Sequence, residues 1–322
     1  MSVPALGIKV ESLSGDFGVK LTDLDLEKSA RDPEFVHWLK RLMDEHQVVF
    51  IPQQKISPET MEALPAATGQ LAQIKRAGNT ARHVPGFEWI KVISNGKAPD
   101  GVPYGDGNAS AQIWHSDSTP WEVPVGHIAF YCRQTVQPVP KTYFKNMIKV
   151  YEALPAAMRE RIDRLRVIHH FYPRQIEVKI HAEGESMPLE DRKTGFAHPL
   201  VRRHLATGKA FLYLPTRRDS IVVGMSEEES RALLTELWDF TNAAQFDIGV
   251  GLTRDDFVIW DNAACVHSRD GWSEDQTRIM WHVSAAGEVP TPMYPSATVN
   301  TIGLSEEEAR QLHKKAVAMS DY

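Results

Sequence analysis

Between residues 31 and 47 the apolar side chains Phe35, Leu39, Leu42 and Met43 recur at helical spacing, which predicts an amphipathic helix with one face on a core. The run Val48-Val49-Phe50-Ile51 behind it is continuously apolar and closed by Pro52, as a short buried strand would be. Ser57-Pro58-Glu59 starts a second helix, with a hydroxyl to cap it and proline in its first turn. Residues 88–94 alternate like a strand. From Gly96 to Ser110 the composition changes to Gly, Asp, Asn, Pro and Ser, and 96–111 reads as a long loop.

Beyond that loop, strands are predicted at 127–133 and 142–146, then helix over 147–165, which Pro155 must break or restart. Residues 181–196 are polar and loop-like. Further strands are expected at 199–204 and 211–214. Residues 226–242 form a regular helical pattern: Ser226 and Glu229 make a capping box, and Leu233, Leu234, Leu237 and Phe240 make an apolar face. Strands follow at 245–250, 256–261 and 277–285. A last helix is expected at 305–319 with its own Ser305/Glu308 box. Many short strands with a few helices at the margins predict a mainly β fold with flanking helices, a β-sandwich or jelly roll. No repeat or composition break divides the chain, so 1–322 reads as a single domain with a helical extension at 305–319.

Composition narrows the function. The chain has 322 residues, 42% of them hydrophobic, enough for a large core. Lysine and arginine number 36 against 42 acidic residues, a net charge of −6, and no basic cluster is interleaved with aromatics. No nucleic-acid partner is expected. The two cysteines, Cys132 and Cys265, lie in apolar surroundings, which speaks against a disulfide scaffold or a zinc ribbon. The N-terminal stretch lacks the basic and apolar segments of a signal peptide. No apolar run approaches the roughly 18 residues of a membrane span. A soluble cytoplasmic protein without a membrane partner is the expectation.

The 96–111 loop runs into Trp114-His115-Ser116-Asp117-Ser118. Residues i and i+2 of a strand share a face, so an extended 112–117 aims His115 and Asp117 at one point and turns Trp114 and Ser116 away. Gln112 would share that face only if the strand were irregular. A second imidazole, His267, follows the 256–261 strand and a polar bend at Asn262. Two histidines and one carboxylate leave a face of Fe(II) open, as oxygen chemistry requires. The same ligands would also suit Zn(II) activating water, so a metal-dependent hydrolase stays open here, as does a non-catalytic metal- or ligand-binding protein. Arg278 stands eleven residues after His267. Alternation puts Arg278, Met280, His282 and Ser284 on one face of their strand, and Ile279, Trp281 and Val283 on the other. A buried arginine needs an acid partner: the carboxylate of a co-substrate, or a structural ion pair with Asp256, Asp261 or another acid.

With these residues in hand, the chain resembles the TauD/TfdA family of Fe(II)- and 2-oxoglutarate-dependent dioxygenases. Trp114-His115-Ser116-Asp117 is similar to the family's Trp-His-(Ser/Thr)-Asp motif. Val258-Ile259-Trp260-Asp261-Asn262 with His267, and the step from His267 to Arg278, are similar to its second motif. His198-Pro199-Leu200-Val201-Arg202 and Met147-Ile148-Lys149-Val150-Tyr151-Glu152-Ala153-Leu154 also resemble family segments. The resemblance runs from about Arg41 to Gly287. It implies a double-stranded β-helix (jelly roll, cupin-like). It also implies Fe(II) held by His115, Asp117 and His267, and 2-oxoglutarate whose distal carboxylate meets Arg278 and Thr142. Here Val139-Pro140-Lys141-Thr142 replaces the family's Gly-Gly-Asp-Thr turn, and Ala263 replaces the arginine of its Asp-Asn-Arg.

The implied reaction is oxidation, above all hydroxylation, of a C–H bond of a small organic molecule by O2, with release of succinate and CO2. Asp117 argues against halogenation, which needs that ligand position vacant. The 96–112 loop, Trp121, His282 and Trp272 are expected to line the substrate pocket, although Trp121 suits an ordinary core equally well. Four residues after the oxoglutarate arginine, relatives acting on sulfonates or aryloxyacetates carry a second arginine. Here that position is His282, which points away from strongly anionic substrates. Dimers and tetramers are common in the family, so a homo-oligomer is compatible with the resemblance.

Overall fold

The computed structural model describes residues 7–72, 82–99, 101–170 and 195–294. The predicted 305–319 helix and nearly all of the 181–196 loop lie outside them. Among the described residues seventeen strands follow in chain order. The first six are β1 (Lys9–Ser14), β2 (Phe17–Thr22), β3 (Val48–Ile51), β4 (Leu71–Ala72), β5 (His83–Val84) and β6 (Phe87–Ser94). Next come β7 (Gln112–His115), β8 (Val125–Gln134), β9 (Lys141–Asn146), β10 (Arg166–His169), β11 (Phe196–Pro199) and β12 (Val201–Arg203). The last are β13 (Ala210–Leu212), β14 (Asp247–Gly251), β15 (Phe257–Asp261), β16 (Cys265–Arg269) and β17 (Ile279–Ala286).

The strands make a larger sheet in the order β1-β2-β3-β15-β8-β17-β6-β5, with β4 added on β17, and a smaller sheet in the order β14-β9-β16-β7. Two short hairpin-like pairs, β10-β11 and β12-β13, stand apart. This is the jelly roll that the pattern of short strands predicts, decorated by helices.

The continuous apolar run of β15 has a direct cause: every residue from Phe257 to Asp261 is buried, because the strand is covered on both faces. Val258 and Trp260 pack between the sheets with Ile128, Cys132, Phe144, Ile248 and Met280. Phe257 and Ile259 pack on the other face against Trp38, Leu39, Met43, Met61 and Leu64 of the two N-terminal helices. Each such side chain contributes about 1.5–3 kcal/mol relative to exposure. The first of those helices spans Pro33–His46, capped by the Asp32 side chain and closed by Gln47 in the left-handed region at φ 61°.

Elsewhere the punctuation residues act as their chemistry dictates. Pro155 splits the 147–165 segment into helices Met147–Ala153 and Ala156–Ile162. The Ser226/Glu229 capping box is formed at the head of helix Glu227–Ala243. The single strand expected at 199–204 is instead two, β11 and β12, which pair with different partners on either side of Leu200. Among the described residues no helix is long and apolar enough to cross a membrane.

Candidate active site

The smaller sheet brings the two histidines together. In the β7–β16 pairing His115 stands directly opposite His267, and their rings are 4.2 Å apart. His115 Nδ1 lies 2.7 Å from the carbonyl of Ile113, so Nδ1 carries the proton and Nε2 keeps its lone pair free. Asp117 reaches the same point by a route the alternation argument did not contain. The strand ends at His115 rather than continuing to residue 117, and Ser118 turns the chain with φ 57°. The Asp117 carboxylate then lies 3.6 Å from His115 Nε2. One ligand atom from each of His115, Asp117 and His267 falls within 4.8 Å of the others.

Asn262 holds that turn in place. Its Oδ1 accepts from the Asp117 N–H at 2.9 Å, and its Nδ2 donates to the carbonyls of Asp117 (3.1 Å) and Val125 (2.9 Å). Asn262 is itself fully buried. The neighbours of the ligands face away as expected. Ser116 Oγ donates to the Cys265 carbonyl, and Trp114 packs edge-on to Tyr143 with Lys145 over its ring.

The strand is also irregular. Gln112 pairs with Arg269 while His115 pairs with His267, so three steps on β7 oppose two on β16. Such a bulge breaks strict alternation and gives Gln112 and His115 the same register toward β16.

On its other side β16 pairs with β9, which sets Arg269 opposite Thr142. Thr142 is buried and its Oγ1 has no hydrogen-bond partner. Arg278 is 2% exposed; its backbone N–H is held by Asn95 Oδ1, but its Nε and Nη2 are buried without partners. The structural ion pair considered from sequence is not formed. Asp256 accepts instead from Gln53 and Thr253, and Asp261 pairs with His204. Burial draws the Arg278 pKa downward. A second buried guanidinium, Arg269, shares its surroundings: the Trp272 ring lies 4.4 Å from Arg269 Cζ and 5.6 Å from Arg278 Cζ. Arg269 escaped the sequence reading, although it is two residues after His267 and therefore on the same strand face.

His282 is buried on β17 beside Phe130, ring centroids 5.3 Å apart, with Ser284 Oγ 3.4 Å from its Nε2. Burial lowers its pKa to about 4, against the attraction of Asp117, so it is neutral. His267 is likewise drawn down to about 3 by burial and then by His115. Trp121 closes the turn after Asp117, donating its N–H to the Ser118 carbonyl, while its own carbonyl receives His198 Nε2.

These groups suit the expected ligands. Two imidazoles and one carboxylate match an open divalent iron site. The unpartnered Arg278 and Thr142 donors match an anionic oxygen ligand, since buried polar groups otherwise find partners.

The family model described as taurine catabolism dioxygenase TauD, TfdA family, matches residues 9–284. The chain is 28% identical to an alpha-ketoglutarate-dependent 2,4-dichlorophenoxyacetate dioxygenase of Cupriavidus pinatubonensis, over 78% of this chain and 88% of the relative. It is 26% identical to pentalenolactone F synthase of Streptomyces arenae, over 69% and 77% of the two chains. Among solved structures it is similar to a taurine dioxygenase from Burkholderia xenovorans, with TM-score 0.69, 25% identity, and coverage of 88% and 92%. The hydrolase and non-catalytic readings therefore give way. The chain belongs to the TauD/TfdA family and is an Fe(II)- and 2-oxoglutarate-dependent dioxygenase that oxidises a small organic molecule with O2.

Proposed function

We propose that His115, Asp117 and His267 hold Fe(II), that Arg278 and Thr142 receive the distal carboxylate of 2-oxoglutarate, and that His282 and Trp121 contribute to the substrate pocket. The observation that carries this reading is the pairing of a three-ligand cluster with buried, unpartnered donors on Arg278 and Thr142. Bound Fe(II) with 2-oxoglutarate and O2 supplies the oxidising power for C–H hydroxylation, with succinate and CO2 released. The protein's part is placement. The Ile113 carbonyl fixes the tautomer of His115, Asn262 fixes the backbone of Asp117, and Arg278 orients the co-substrate by a charge-assisted fork. No side chain is required as a general base.

The relatives include enzymes named for 2,4-dichlorophenoxyacetate and taurine, both acids. In this chain the substrate-side position four residues beyond Arg278 is the neutral, buried His282, which offers a hydrogen bond rather than a full charge. The substrate class inferred is a neutral or amine-bearing small molecule. The reading also takes the enzyme to be soluble and cytoplasmic.

The test is a substrate panel spanning neutral, amine-bearing and anionic compounds, read by succinate formation, with wild type and His282→Arg. The wild type should favour neutral or amine-bearing compounds, and the variant should shift toward anions by about tenfold, roughly the 1.4 kcal/mol of one modest ionic contact. An unchanged preference would remove His282 from the substrate pocket.

A further inference from the structure

Arg269 joins two parts of the site that are distant in sequence. Its Nη2 donates to the carbonyls of Asn108 (3.0 Å) and Ser110 (2.6 Å), in the loop that leads into His115. The Trp272 N–H donates to the Ala109 carbonyl between them, at 2.9 Å. Gly271 completes the seat: a Cβ there would stand 2.8 Å from the Ala111 nitrogen and 3.1 Å from the Ala109 oxygen. The loop backbone thus lies directly on residues 269–272.

The other side of Arg269 is unresolved electrostatically. Its Nε is buried without a partner, and it shares the Trp272 ring with Arg278. Among the described residues neither arginine has a carboxylate within ion-pair distance. Two buried guanidiniums set against one aromatic ring repel each other. Two carbonyl dipoles offset a buried cation only in part.

We propose that Arg269 is a positioning residue that makes the docking of the 108–111 loop depend on the anion held at Arg278. With that anion present the repulsion is neutralised, Arg269 stays buried, and its two carbonyl contacts fasten the loop over the site. Without the anion the repulsion is uncompensated, the contact is weaker, and the loop opens more often. The inference rests on the reading that Arg278 receives the 2-oxoglutarate carboxylate.

The test is amide hydrogen exchange across 105–112 in the Mn(II)-loaded protein, with and without 2-oxoglutarate, alongside calorimetric 2-oxoglutarate affinity. In wild type the co-substrate should slow loop exchange by about fivefold or more, a local-opening effect. Arg269→Gln should still bind 2-oxoglutarate but lose that slowing. Gly271→Ala, which disturbs the seat and keeps both charges, should raise loop exchange and leave 2-oxoglutarate affinity near wild type. Equal slowing in Arg269→Gln and wild type, no slowing in wild type, or unchanged loop exchange in Gly271→Ala would each overturn the proposal. Arg278→Gln separates the underlying reading: wild-type 2-oxoglutarate affinity in that variant would refute the Arg278 assignment itself.

Discussion

The Asn262 side chain grips both sides of the Asp117 peptide backbone, accepting from its N–H at 2.9 Å and donating to its C=O at 3.1 Å. Through that grip a residue 145 positions away sets where the carboxylate of the candidate triad points. A third bond, to Val125, ties the same amide to the larger sheet.

Replacing Asn262 with alanine removes all three bonds and leaves buried backbone groups unpaired. We expect Mn(II) affinity to fall about 10- to 100-fold, as for other residues that orient a ligand. Stability should fall by about 1–3 kcal/mol. Equilibrium dialysis and urea unfolding measure the two separately. Wild-type metal affinity in a destabilised Asn262→Ala protein would show that the grip serves the fold alone.

Thr142 offers a contrast of sign. Its hydroxyl is buried and has no partner within the protein, so Thr142→Val removes an unsatisfied group while keeping the shape. The variant should be as stable as wild type or more so, within about 1 kcal/mol. If the hydroxyl serves 2-oxoglutarate, affinity for that ligand should drop about 3- to 10-fold, one ordinary hydrogen bond. Calorimetric titration decides. A loss of stability with unchanged affinity would assign Thr142 to packing instead.

Acid should destabilise the metal-free protein through its buried neutral histidines. Burial holds His282 at about 4 and His198 at about 3, against an ordinary 6.5. Below pH 6.5 the unfolded chain takes up protons at both positions while the folded chain does not. Stability therefore falls as pH drops from 6.5 toward 4, by up to about 1.4 kcal/mol per unit for each group. His204 has the opposite sign: burial lowers its pKa, but the hydrogen bond and charge of Asp261 together, helped by Asp44, raise it on balance, so its contribution is lost as pH rises through the raised value. Urea unfolding from pH 7 to 4.5 should show a shallower pH dependence for His282→Asn than for wild type, by one proton. Identical slopes would mean that His282 is not held neutral in the fold.

Much of this site was legible in local pattern. The alternation from Met280 to Ser284 follows from strand spacing, and the step from His115 to Asp117 pointed to the candidate cluster, although a turn and not a strand brings Asp117 there. The apolar run of β15 gave its burial. What local pattern could not give are the long-range polar contacts. The turn at Ser118, the Asn262 grip and the β7 bulge each depend on a partner strand far away in sequence. Applying the two-residue rule to His267 would have pointed to Arg269, but only the fold shows that its guanidinium meets the loop before His115. Pro155 was read correctly as a break, whereas Pro199, which ends β11 just before Leu200, was not used as one.

The assignment of His115, Asp117 and His267 as the iron ligands meets its most direct test in one measurement: Fe(II)-dependent conversion of 2-oxoglutarate to succinate, with metal stoichiometry by anaerobic dialysis, in wild type and Asp117→Ala. Asp117 is partly exposed, so the variant should fold normally. Wild type should bind one Fe(II) per chain and form succinate, and Asp117→Ala should lose about 100-fold or more in both affinity and turnover, in line with deletion of a metal ligand. Wild-type iron binding and succinate formation in Asp117→Ala would contradict the assignment.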